Sequence, residues 1–190
     1  MPAQSFEAVP RIRDADESDA TAIAEIYNAS IAIGDSTMDG VEKTGNDIRS
    51  WLSAFSTRET ILVFEDLTHQ PAEVADILGW GIIKRYSDRF GYRFCCETAV
   101  YLRRDQVGRG LGTRMKKALI ERCKAFGYHH LVAKIFADNK ASIAYNLNLG
   151  YEMVGIQREI GWKHGQWQDI AILQLILDDV PAEIPEGFDD

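Results

Sequence analysis

A glutamate inside an apolar run is the first residue that could do chemistry. Glu97 sits in the stretch Phe94-Cys95-Cys96-Glu97-Thr98-Ala99-Val100-Tyr101-Leu102, whose composition predicts a strand with one acid in its interior. A carboxylate in apolar surroundings is tuned for proton transfer, so Glu97 is a candidate general base, acting directly or through a water. Two plainer readings fit the same residues: a carboxylate on the open face of the strand, or one paired with Arg93. The second chemical feature is the turn Val107-Gly108-Arg109-Gly110-Leu111-Gly112-Thr113, between that strand and a helix. Glycines allow consecutive backbone N–H groups to converge, and a helix start adds unpaired N–H donors, an arrangement that suits a pyrophosphate. A tight strand–helix turn without a ligand has the same sequence.

Other phosphate chemistries do not fit. No Gly-Lys-Ser/Thr follows the turn, so it is not a nucleotide P-loop. No acid ends the next strand, where Lys134-Ile135-Phe136 stands, so the dinucleotide fingerprint is also absent. Cys95, Cys96 and Cys123 form an odd set without ligand spacing, which predicts neither disulfide nor metal site and makes inert packing their simplest role.

These residues must be positioned by a single α/β domain. Ile23, Ile26, Tyr27 and Ile31 recur at helical spacing behind Asp16-Glu17-Ser18-Asp19, giving a first helix to about residue 30, with Gly34 ending it or opening a loop. A short helix starts at Asn46 or Asp47. Strands are predicted at Thr60–Glu65, Ile77–Ile83 and Phe94–Leu102. The helix after the glycine turn has an apolar face of Leu111, Met115, Ala118, Leu119, Cys123 and Phe126. Arg114, Lys116, Lys117, Glu121 and Lys124 form its polar face, and Gly127 stops it. A strand at Leu131–Phe136 and a helix at Ala141–Leu149 follow. Two last strands, about Tyr151–Glu159 and Asp169–Leu177, flank the turn Gly161-Trp162-Lys163-His164-Gly165.

The 190 residues carry a net charge of -8, of which the last thirteen, 178–190, contribute -6 without one basic residue. Residues 1–177 are therefore nearly neutral, and the acidic, proline-containing tail reads as solvated or as a partner-binding extension. A chain without a basic patch is a poor nucleic-acid binder. No apolar run is long enough for a membrane helix and no signal peptide opens the chain, so the expectation is a cytoplasmic protein with no membrane contact.

The glycine turn resembles the pyrophosphate loop of the GCN5-related N-acetyltransferases (GNAT), Gln/Arg-x-x-Gly-x-Gly/Ala, with Gly110 and Gly112 at the small positions and Val107 in place of the Gln or Arg. Tyr92 to Leu102 resembles the fourth strand of the phosphinothricin/methionine sulfoximine acetyltransferase group. Asp138-Asn139-Lys140-Ala141-Ser142-Ile143 with Leu149-Gly150-Tyr151 is similar to its late helix. Lys163-His164-Gly165-Gln166-Trp167-Gln168-Asp169 resembles its Lys-x-Gly-x-Trp-x-Asp stretch, and Tyr27-Asn28 and Ser36-Thr37 also fit. The set spans roughly residues 11–177 in the right order. It implies a mixed, mostly antiparallel sheet flanked by helices, with splayed fourth and fifth strands, preceded by an N-terminal extension (1–10) and followed by the tail.

The resemblance also implies roles. Acetyl-CoA would be the cosubstrate, without a metal. Its pyrophosphate would lie on residues 107–113 and its pantetheine arm along Val100, Tyr101 and Leu102, with Asn139 and Ser142 on the far side. Asn139 as a plain helix cap and Ser142 as a packing residue stay open. Glu97 would be the base, and His164 would face the acceptor unless it is a solvated turn residue. Lys163 is most simply solvated. Tyr27, Thr37, Arg85 and Arg89 would contact the acceptor, a small molecule bearing an α-amine, which is a far easier nucleophile at neutral pH than a lysine amine. The loop that carries Lys84, Arg85, Arg89 and Arg93 could simply be solvated, and Ser87 stands where the group tends to place a basic residue, so either Arg85 or Arg89 substitutes for it or the substrate differs. Asn146 occupies the position at which relatives carry a proton donor. A thiol leaves readily without one. Peptide N-termini, polyamines and cofactor sensing without turnover are the rival readings, and a homodimer is the assembly the family suggests.

Overall fold

The computed structural model describes residues 10–67 and 76–178. The predicted N-terminal extension and acidic tail therefore lie outside the described residues, apart from Pro10 and Asp178. Among the described residues seven strands form one sheet: β1 (Arg11–Asp14), β2 (Thr60–Asp66), β3 (Asp76–Arg85), β4 (Cys95–Leu102), β5 (His130–Phe136), β6 (Glu152–Lys163) and β7 (Gln166–Ile176). The order is β1-β2-β3-β4-β5-β7-β6, and every neighbouring pair is antiparallel except β4–β5. That one parallel pair is bridged by α3 (Leu111–Ala125), since parallel neighbours need a crossover.

Two helix layers cover the sheet. Ile23, Ile26, Tyr27 and Ile31 of α1 (Ala20–Ile33) and Ile48 of α2 (Gly45–Ala54) pack with Ile61, Val63, Trp80 and Ile82 on one face. Gly34 closes α1 in a left-handed cap (φ 78°) and its N–H donates to Ser30 O at 2.9 Å. α2 opens on a capping box in which the Thr44 side chain accepts from Asp47 N–H and the Asp47 side chain from Thr44 N–H. The other face holds Leu62, Phe64, Leu78 and Ile83 against Leu111, Met115, Leu119 and Cys123 of α3. α4 (Lys140–Asn148) lies beside α3.

Three expectations are corrected. Lys116, predicted on the polar face of α3, is 1% exposed. At about 100° per residue it shares a stripe with the buried Ile120 and Cys123, and only its charge argued for solvent. Lys163 is also buried: its Nζ donates to Thr37 O at 2.6 Å and Asp39 O at 2.8 Å, tying the last hairpin to the segment after α1. Desolvation lowers its pKa below the usual lysine value. The five-residue turn at 161–165 contracts to His164 and Gly165, both at positive φ (50° and 76°), so β6 and β7 run longer than predicted and Trp162 pairs with Trp167. In addition, periodicity gives no sign of β1, whose four residues Arg-Ile-Arg-Asp are too few for alternation to register. Pairing with β2 and the ion pairs from Arg11 (2.6 Å) and Arg13 (3.3 Å) to Glu65 hold it.

Candidate active site

β4 is the partition between two cavities. Its alternation sends Cys96, Thr98, Val100 and Leu102 toward α3, and Glu97, Ala99 and Tyr101 toward α1. The parallel ladder with β5 runs only from Cys95↔His130 to Glu97↔Val132, after which the strands separate. This is the predicted splay.

The first cavity, about 450 Å³, occupies the opening. Val100, Tyr101 and Leu102 form one wall, and Val107, Gly108, Gly110, Gly112 and Thr113 form its floor. Gly108 and Gly110 are at positive φ (84° and 77°) with no atom within 4 Å of where a Cβ would stand, so nothing obstructs an anion approaching their backbone. Gly110 is the N-cap of α3, whose first-turn N–H groups supply donors and a partial positive charge. The side chains of Arg109 and Leu111 are not on the cavity wall. Arg109 donates to Gln106 Oε1 at 2.6 Å, and Leu111 is buried in the core. Asn139 and Ser142 lie on the opposite wall. Asn139 also caps α4, accepting from Ser142 N–H at 3.0 Å, so the cap and the cavity wall are the same residue. Asn146 reaches this wall too. It is 1% exposed, its Nδ2 donates to Ser142 O at 2.8 Å, and its Oδ1 has no partner among the described residues.

The second cavity, about 650 Å³, lies across β4. Glu97, Tyr27, Thr37 and Arg85 border it together. Glu97 is paired, but with Lys134 of β5 (2.6 Å) rather than with Arg93, whose guanidinium stacks on Phe90 and Phe94. The expected desolvated carboxyl is thus an ion-paired carboxylate about one-third exposed. Tyr27 donates to Asp39 at 2.8 Å and lies 2.8 Å from the Thr37 hydroxyl, and its burial pushes the phenol up to about 12. Arg85 is held by Asp88 at 3.1 Å and Glu59 at 3.6 Å. Arg89 and His164 do not border either cavity. The His164 ring instead fills the space in front of Gly34, where a Cβ would meet its Nε2 at 2.3 Å.

Lys134 is the site residue that sequence reasoning missed. It borders both cavities and neutralises Glu97. Its signal was present: a lone cation among the apolar residues of a predicted strand, as conspicuous as the lone acid in β4. Burial raises the Cys95 thiol to about 11, and Cys96 and Cys123 lie 3.6 Å apart in the core, so no activated thiolate faces either cavity. Among the described residues no group of His, Cys, Asp and Glu side chains gathers as a metal site, and no helix is long and apolar enough to cross a membrane.

A glycine turn at a helix start, beside a split strand pair and two cavities that share Tyr101, Lys134 and Phe136 in their linings, is an arrangement that suits a two-substrate group transferase. Residues 12–172 match the family model described as Acetyltransferase (GNAT) domain. The chain is 37% identical over 171 residues to L-methionine sulfoximine/L-methionine sulfone acetyltransferase of Pseudomonas aeruginosa, covering 88% of this chain and 94% of that protein. It is 27% identical to phosphinothricin N-acetyltransferase of Alcaligenes faecalis, covering 92% and 86%. The fold superposes with a TM-score of 0.84 on a GNAT superfamily phosphinothricin acetyltransferase from Sinorhizobium meliloti solved in complex with acetyl-CoA, at 29% identity and covering 94% of this chain and 95% of that one. The chain belongs to the GNAT acetyltransferase family and is an N-acetyltransferase.

Proposed function

We propose that this chain acetylates the α-amino group of a small amino acid or analogue of the methionine sulfoximine or phosphinothricin type. Acetyl-CoA supplies the acetyl group as an activated thioester. The amine attacks it directly, a reading supported by the absence of an exposed thiol among the described residues. The observation that carries the proposal is the charge of the second cavity. Lys84, Arg85 and Lys134 border it with Asp39 and Glu97, a mixed set that suits a zwitterion. A polyamine would face three cations with no carboxylate to offer them. A peptide N-terminus would present its α-amine without a free carboxylate beside it.

The residues fit the cosubstrate. Main-chain N–H groups of residues 107–113 would hold the pyrophosphate, with Arg109 and Leu111 contributing backbone only. Val100, Tyr101 and Leu102 would lie along the pantetheine arm, with Asn139 and Ser142 opposite. The orphaned Oδ1 of Asn146 is an acceptor suited to an amide N–H and cannot donate a proton, so the leaving thiol would depart without an acid from this position. Glu97 would take the ammonium proton, with Lys134 holding the carboxylate in place. Lys134, Arg85 and the Tyr27–Thr37 pair would orient the acceptor. The positions of Arg89 and His164 lend no support to acceptor contact within one chain. The reading places the enzyme in the cytoplasm as a homodimer, independent of nucleic acid and metal.

A thiol-release assay with acetyl-CoA tests it against methionine sulfoximine, methionine sulfone, phosphinothricin, common amino acids, a short peptide and spermidine. Release with the amino-acid analogues and not with spermidine is expected. Release with the peptide or spermidine alone overturns the acceptor class. Silence with intact acetyl-CoA binding would favour the sensor.

A further inference from the structure

β4 and β5 part at a definite rung of their ladder. Tyr86 N–H donates to Cys95 O at 3.1 Å, and Arg103, just beyond β4, donates to Leu78 O at 2.9 Å. Odd-numbered residues of β4 therefore hydrogen-bond toward β3, and even-numbered ones face β5, as Phe94 O does in accepting from His130 N–H at 3.0 Å. On β5, the bonds from Leu177 N–H to His129 O and from Ala137 N–H to Asp169 O turn odd residues toward β7 and leave the Lys134 N–H facing β4. The next rung after Glu97↔Val132 would join Lys134 N–H to Thr98 O and Val100 N–H to Lys134 O. The ladder stops before it.

The Thr98 carbonyl instead accepts from Lys116 Nζ of α3 at 3.2 Å, and the Thr98 hydroxyl lies 2.6 Å from the same nitrogen. The Tyr151 hydroxyl is 3.3 Å from that Oγ1, and its ring is 4.9 Å from the ammonium. Lys116 also borders the first cavity. Among the described residues no carboxylate forms a salt bridge with it, yet it is fully buried. An apolar side chain would serve the core better, and a buried cation without a counter-charge breaks the packing rule beside the reacting cleft. We propose that Lys116 is a positioning residue of acetyl transfer: by capping Thr98 O it ends the β4–β5 ladder one rung short and keeps the Val100 and Leu102 N–H groups facing the cleft. Such N–H groups are the donors available to a carbonyl oxygen that gains charge. The inference rests on the acetyltransferase reading above.

Lys116→Met keeps the length and removes the donor. A folded variant is expected to bind acetyl-CoA within about threefold of wild type by calorimetry, and to lose about 10- to 100-fold in kcat with little change in KM. The Lys134 amide should exchange more slowly with deuterium as it closes on Thr98 O. Lys116→Gln, which retains an N–H donor, should recover part of both, and it replaces the Met variant if that fails to fold. A folded variant with kcat within about twofold of wild type, or with unchanged exchange at Lys134, overturns the proposal. If wild type binds acetyl-CoA but acetylates nothing, the acetyl-transfer reading fails instead, and exchange at Lys134 still decides whether Lys116 ends the ladder.

Discussion

Glu97 and Lys116 mark the two limits of what single residues disclose. An acid among apolar neighbours in a strand announces itself, because burial of a charge needs a reason. Its partner could not be read, since Lys134 lies 37 positions away and meets it only through the parallel pairing of β4 and β5. Lys116 was hidden by the opposite logic: its helical position pointed inward, and its charge pointed out. Removing the carboxylate tests the first. Glu97→Gln should leave acetyl-CoA affinity unchanged by calorimetry and lower kcat about 10²- to 10⁴-fold. Unchanged turnover would remove Glu97 from the mechanism. Titration tests the second. Burial lowers the Lys116 pKa from 10.5 to about 8, against weaker opposing effects from Cys123, Cys96 and Glu97. Between those values the unfolded chain keeps a proton that the folded chain has released, so stability rises with pH through the window and the penalty is complete below pH 8. The full effect is roughly 3 kcal/mol. Against Lys116→Met, which loses the Thr98 hydrogen bonds at every pH, wild type should therefore gain roughly 3 kcal/mol between pH 7.5 and 10.5. Urea unfolding of both proteins reads this, and a constant difference across that range would mean that burial does not lower the Lys116 pKa.

Elements were legible where a local signal starts or stops them. Gly34 and Gly127 end their helices in the left-handed backbone that glycine favours, whereas the start of α2, read at Asn46 or Asp47, falls at Gly45 behind the Thr44/Asp47 box. β1 and the full length of β6 and β7 were not, because a four-residue edge strand and a long hairpin owe their pairing to partners rather than to their own alternation. Glycine spacing inside β3 carries a further consequence. A Cβ at Gly79 would stand 2.5 Å from Leu102 Cδ2 and 2.8 Å from the Tyr101 carbonyl oxygen. The leucine can turn aside, but the backbone oxygen moves only if β4 moves, and β4 is the wall of both cavities. Gly79→Ala should cost about 1–3 kcal/mol of stability and weaken acetyl-CoA binding about tenfold or more, a loss of about 1.4 kcal/mol. Gly91→Ala, with nothing within 4 Å of its Cβ, is the control for melting temperature and calorimetry. Equal affinity in the two variants would show that β4 yields without disturbing the cleft.

At the scale of the whole molecule, the order of the motifs along 11–177 was enough to identify the fold, but the surface it presents was not, since exposure depends on which strand ends at the edge. β6 is that strand. Its register puts Ile156 opposite Ala171 and Trp162 opposite Trp167, on the face that holds Ala171 and Leu173 in the core. Yet Ile156, Trp162 and Trp167 are 53–59% exposed. Two irregularities, between Met153 and Gly155 and between Gln157 and Gly161, interrupt β6, and such bulges discourage edge-to-edge pairing. A partner should therefore pack on this face rather than extend the sheet. A second copy supplies the same patch about a two-fold axis, the commonest solution for a self-complementary surface. The net charge of -8 on each copy opposes that contact, so association should tighten as salt rises from about 0.02 to 0.15 M and screening shortens the repulsion. Sedimentation velocity should show a dimer at micromolar concentration in 0.15 M salt, a partial monomer at low salt, and a monomer throughout for the double variant Trp162→Ser, Trp167→Ser. That variant leaves both cavities intact, so its thiol release should persist if one chain carries a complete site. A wild-type monomer at every salt concentration would leave the indole pair without a partner and defeat the dimer.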